Sequence, residues 1–141
     1  LERMVGGDRL IAGIGTGDRV SADENLAFGL DYPPPDERRA ALRSVGQTLA
    51  ARGLTVWIGG GRPATRQVAL DGGHVLNLWD EPVDAVAAAA AEGFSVSWAG
   101  RVEPGDLSGH LNALEQAGAI WAVASFNPDV EKLAEASAAL R

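Results

Sequence analysis

The chain has 141 residues, 46% hydrophobic and 22% charged, with a mean hydropathy near zero, which suits one soluble globular domain and excludes a disordered or collagen-like polymer. No apolar run approaches the roughly 20 residues of a membrane span, and a formal net charge of -7 argues against a nucleic-acid or anionic-lipid surface. Cysteine is absent and histidine occurs twice, so disulfides, thiol nucleophiles and a His- or Cys-built metal site are not expected.

Taken in chain order, the first element is a buried strand over Arg9–Ile14 that runs into the glycine-rich loop Gly15-Thr16-Gly17-Asp18. Ser21-Ala-Asp-Glu24 has the form of a capping box and predicts a short helix. Pro33, Pro34 and Pro35 make a rigid extended connection. Asp36 and Glu37 then open a helix whose apolar stripe is Leu42, Val45 and Leu49, and Gly53 ends it. Thr55–Ile58 is the second strand. Gly59-Gly60-Gly61-Arg62-Pro63 follows, with Pro63 suited to the first turn of a helix over Ala64–Leu70. His74–Trp79 is the third strand. An alanine-rich helix starts at Asp80–Pro82 and stops at Gly93. Ser95–Trp98 is the fourth strand, Gly105–Ser108 caps a helix over Gly109–Gln116, Ala119–Ser125 is the fifth strand and Asp129–Leu140 the last helix.

Strand and helix therefore alternate five times, which means an α/β fold of parallel strands with right-handed crossovers. No linker interrupts it, so residues 1–141 read as a single domain. An open doubly wound sheet and part of a (β/α)8 barrel both fit; a complete barrel takes about 250 residues, so the chain could supply only a partial one.

Three groups of residues carry candidate chemistry. At Gly15, Thr16 and Gly17 the backbone can approach a ligand closely at the C-terminal end of a parallel strand, against the plainer reading of a tight turn. A dinucleotide fingerprint is disfavoured, because the third glycine comes early and the proline run stands where a second strand should be. At Gly59, Gly60, Gly61, Arg62 and Thr65, glycines precede a helix N-terminus, whose free N–H groups and dipole favour an anion; Arg62 adds charge and Thr65 a hydroxyl. Asn77 and Ser97 are polar positions within apolar strands, and Trp79 and Arg101 lie just past strand ends; together they can line a ligand cavity. Trp57, Trp98 and Trp121 read as core. His74, at the start of a strand, reads as structural, and His110 as a cap or surface residue.

Leu1–Arg9 followed by Leu10-Ile-Ala-Gly-Ile-Gly-Thr-Gly17, then Glu24, Phe28-Gly29, Asp36-Glu37-Arg38 and Val56-Trp-Ile-Gly-Gly60, resembles the luciferase-like monooxygenase family, which includes oxidoreductases that use the deazaflavin coenzyme F420. The resemblance spans nearly the whole chain and implies strands four to eight of a TIM barrel, with Leu1 inside the third helix. It implies a flavin- or F420-dependent oxidoreductase or monooxygenase, as a fragment or shortened form. The competing reading is a non-catalytic flavin-fold binding or interaction protein without the substrate pocket. The expected cofactor is coenzyme F420 or FMN, with the Gly59–Thr65 loop on its phosphate. Thr16, uncharged where FMN-binding members can carry a basic residue, favours the deazaflavin. A small-molecule substrate, a cytoplasmic location, and a homo-oligomer or pairing with the missing barrel half complete the expectation.

Overall fold

The computed structural model describes residues 10–17 and 20–125; readings that fall on 1–9, and the helix expected over 129–140, lie outside them. Strand β1 (Ile11–Gly15) is followed by helices α1 (Val20–Ala27) and α2 (Pro35–Ala51), β2 (Thr55–Gly59), α3 (Pro63–Gly72) and β3 (Val75–Trp79). Then come α4 (Val83–Ala91), β4 (Val96–Arg101), a 3-10 turn (Pro104–Asp106), α5 (Leu107–Gln116) and β5 (Ala119–Ser125). This is an α/β fold of five parallel strands alternating with helices. The chain divides into two compact units, Leu1–Val75 and Leu76–Arg141. Among the described residues, no helix is long and apolar enough to cross a membrane.

In the first unit β1 and β2 pair in parallel, with Ile14 opposite Ile58 and Gly15 opposite Gly59. Val56 and Ile58 are buried, and α2 and α3 pack on β2 and on each other. Helix α2 begins where Pro35 can sit without wasting a donor and where Asp36 and Glu37 meet the positive end of the dipole. Its buried residues are Leu42 and Gly46. Val45, expected in the apolar stripe, is exposed instead.

The reason lies in His74. It is 7% exposed, and a Cβ built on Gly46 would come 2.8 Å from its Nε2, while one on Gly72 would come 2.5 Å from the same ring. The imidazole therefore occupies the space that two glycines, one on α2 and one on α3, leave open. Helix α3 ends through Gly73 in the left-handed conformation, and the amide of His74 returns to the carbonyl of Ala69 at 2.8 Å. His74 is structural, as its place at the start of a strand implies.

In the second unit β3 pairs with β4, and β4 with β5, all in parallel. The β4–β5 register slips between Val96 and Ser97, so that Ala119 and Trp121 take consecutive partners and Ile120 falls between them, exposed. Leu76, Leu78, Val96 and Trp98 are buried with Val86 of α4 and Leu114 of α5. The indole Nε1 of Trp98 donates to the carbonyl of Glu81 at 2.8 Å, and the His110 ring meets its edge with centroids 4.8 Å apart. His110 thus packs on the core rather than on the surface. Trp121, expected in the core, is 54% exposed, in a strand none of whose residues is buried.

The His74 contact generates a sign test. Gly46→Ala gains about 1 kcal/mol of helix propensity but overpacks the imidazole, at a cost of about 1–3 kcal/mol. Denaturant unfolding should show Gly46→Ala neutral to destabilising in the parent chain and stabilising in a His74→Ala background. Equal effects in both backgrounds would contradict the packing described.

Candidate functional site

Parallel pairing carries the chain out of β1 and β2 at the same edge, and the two exits form the walls of a cavity of about 480 Å³. From the β1 exit come Thr16 and Gly17; from the β2 exit come Gly60, Gly61, Arg62 and, in the first turn of α3, Thr65. Of the eight residues expected at a cofactor, these six line one cavity. Gly15 lines a second, smaller cavity of about 280 Å³ that shares Thr16 and Arg38 with the first, while Gly59 completes the strand behind it and lines neither.

The β2–α3 loop leads straight into the N-terminus of α3. Arg62 is extended, with φ -80° and ψ 137°, and Pro63 occupies the first turn of α3. The amides of Thr65 and Arg66 return to the carbonyl of Arg62 at 2.9 and 3.0 Å, which leaves Gly61, Arg62 and Ala64 as the loop's amide donors. Gly60 has φ +147°, a conformation that side-chain-bearing residues rarely adopt, and a Cβ there would lie 2.9 Å from the methyl of Thr65. Thr65 is buried, so this glycine lets the chain turn directly over the side chain that closes the floor.

The rest of the cavity wall was not legible as a site. Tyr32, Pro35, Arg38 and Arg39 line it from the segment that joins α1 to α2 and from the first turn of α2. Arg38 is held at two points: its Nη1 donates to the carbonyl of Thr16 at 2.8 Å, and its guanidinium carbon stands 3.9 Å above the ring of Tyr32. Its Nε is buried without a hydrogen-bond partner. Arg39 is paired with Asp36. Among the described residues neither Arg38 nor Arg62 has a carboxylate partner, and no acidic residue lines the cavity. The site is strongly cationic on a chain whose net charge is -7.

The other expected group belongs to the second unit. Asn77 and Ser97 face each other in register, and the Ser97 hydroxyl donates to Asn77 Oδ1 at 3.0 Å. Ser97 is buried; Trp79 and Arg101 are exposed. The sequence reading missed Asp80, which has φ +55° and accepts the backbone amide of Arg101 on Oδ1 at 3.3 Å. Aspartate tolerates that conformation because its carboxylate can bond locally. Asp80 thus ties the end of β3 to the end of β4, its own amide donating to the carbonyl of Ala99 at 2.7 Å.

No family model matches the chain, and no curated protein matches it. Among solved structures it is similar to one described as native KDPGal, with 21% identity and a TM-score of 0.54 over 98% of this chain and 70% of that one. It is also similar, with 20% identity and a TM-score of 0.54, to a cube-shaped, highly porous protein cage designed by fusing symmetric oligomeric domains; there it spans 98% of this chain and 53% of the other. At these identities the likeness is one of fold. It corrects the expected function: a solved neighbour of the fold is described as native KDPGal, a different class from the flavin- and deazaflavin-dependent oxidoreductases. The βα loop with a helix N-terminus, on which the expectation leaned, is common to parallel α/β folds of many chemistries.

The two glycines at the end of β2 should respond differently to the same change. Gly60→Ala should lower stability by about 1–3 kcal/mol, because it combines a strained φ with a methyl–methyl overlap. Gly59→Ala meets only the carbonyl of Ile14 at 3.9 Å and should be neutral or mildly stabilising. Thermal or denaturant melts of the two variants decide the point, and equal melts would contradict the loop geometry.

Proposed function

We propose that the first unit binds the phosphate group of a small anionic molecule in the cavity between the β1 and β2 exits. The observation that carries this reading is that the Arg62 loop, the α3 N-terminus and Arg38 line one cavity whose lining, among the described residues, includes no acidic side chain. Loop amides supply direction, the helix dipole supplies partial positive charge, and Arg62 supplies a full one. The protein's own groups do three things to such a ligand. They accept its charge, they orient it by the fixed fork of each guanidinium, and they hold its non-phosphate part against Val20 and Tyr32.

The finer architecture we propose is a partial (β/α)8 barrel. Strict strand–helix alternation and parallel pairing within each unit support it, and in that fold ligands gather at the C-terminal edge of the strands, where this cavity lies.

Calorimetric titration with glycerol 3-phosphate tests the reading. Arg62→Ala should weaken binding by about 1.5–3 kcal/mol, or about ten- to hundred-fold, if the contact is a charge-assisted hydrogen bond. Arg43→Ala removes an equal charge from an exposed pair with Asp71 and should leave the affinity within about twofold. Loss of affinity to the same extent in both variants would reduce the site to general electrostatics. No measurable binding to the parent chain would refute it.

A further inference from the structure

In the second unit β5 is the last strand of the sheet, and among the described residues it pairs on one side only, with β4. One bond shows which of its backbone groups face outward. Val102 donates to the carbonyl of Ser125 at 3.3 Å, so Ser125 turns its backbone groups toward β4, and by alternation so do Val123 and Trp121. Ala122 and Ala124 then turn theirs to the outer edge. Proteins guard such an edge with charge, proline or a very short strand. The seven residues Ala119-Ile-Trp-Ala-Val-Ala-Ser125 include no charge and no proline. The register slip lies at the start of the strand, and from Trp121 onward the ladder is regular. Ile120, Trp121 and Val123 are 62%, 54% and 46% exposed. Trp121 and Val123 share the face of the sheet in register with Ser97 and Ala99, while Ala122 is in register with Trp98, on the face that His110 of α5 covers.

We infer that β5 pairs antiparallel with the β5 of a second copy of this chain, about a two-fold axis at Ala122. Ala122 is the middle of the strand, so this register alone pairs all seven residues. On the axis, its outward N–H and C=O exchange both bonds with Ala122 of the other copy. Trp121 of each copy then stands opposite Val123 of the other, at the non-hydrogen-bonded positions where side chains come closest. The contact thus gains two aromatic–β-branched pairs on the face away from α5. Ala124 meets Ile120 of the other copy, which brings the third exposed apolar side chain into the contact. The inference concerns the second unit alone and stands apart from the phosphate reading.

Sedimentation velocity of the whole chain at rising concentration tests it. The parent should pass from monomer to dimer between about 1 and 100 μM, the range of a small specific interface. Ala122→Pro removes an outward N–H that β4 does not use and should weaken association about tenfold or more. Trp121→Lys and Val123→Glu, each alone, should do the same by setting a charge against an apolar side chain. Mixed in equal amounts, those two variants should associate about tenfold more tightly than either alone, because their contact has a lysine opposite a glutamate and one untouched Trp121–Val123 pair. Phe28→Lys, at a side chain 82% exposed in the first unit, should leave the association unchanged. Variants that lose association should keep the parent's circular dichroism spectrum. A parent that stays monomeric to about 500 μM, beyond the range of a weak specific contact, overturns the inference. So does a dimer that survives both Ala122→Pro and Trp121→Lys, or a mixture no tighter than its parts.

Discussion

Everything proposed for the first unit depends on the parallel pairing of β1 with β2 and on the register that ends it, Gly15 opposite Gly59. Parallel strands leave a sheet at the same edge, so two glycine-containing loops that are 44 residues apart emerge side by side. With the register shifted by one residue, the β2 exit would meet the wrong part of the β1 loop. The pairing is secured on the helix side, where Val56 and Ile58 are buried under α2 and α3. The same α2 that covers the strand carries Arg38 and Arg39 in its first turn, so the element that stabilises the pairing also charges the site.

Much of this is written locally in the chain. Strand–helix alternation was readable because each apolar run is bounded by glycine or proline, and the observed bounds differ from the expected ones by one or two residues at most ends. The Gly60–Thr65 loop was readable for a similar reason: glycines followed by an arginine and a helix-initiating proline are a contiguous statement about backbone and charge. Arg38 was not readable. Its role comes from the Thr16 carbonyl, 22 residues away, and from a tyrosine placed by three prolines; in sequence it is one more charge in a helix start that charges favour anyway. Val45 was misplaced for a kindred reason. Helical spacing puts it in the stripe with Leu42 and Leu49, but the space beneath α2 is taken by His74, and Gly46 is the residue that faces it.

Function was the least legible part. Motifs of glycine, arginine and acidic residues along a parallel α/β chain resembled a flavin-dependent family, whereas a solved structure of similar fold is described as native KDPGal. What survives the correction is the chemistry of the residues themselves: amide donors, a helix dipole and guanidinium groups attract oxyanions whatever reaction or transport follows.

The most direct test of the central claim is a map of backbone amide shifts in nitrogen–proton correlation spectra as glycerol 3-phosphate is added. Anion binding at the proposed cavity predicts saturable shifts concentrated on Gly60, Gly61, Arg62 and Ala64, with a smaller set at Thr16 and Gly17 across the cavity. Shifts that do not saturate, or that spread over arginines outside the cavity such as Arg43 and Arg101 while the Gly60–Ala64 amides stay still, would contradict it.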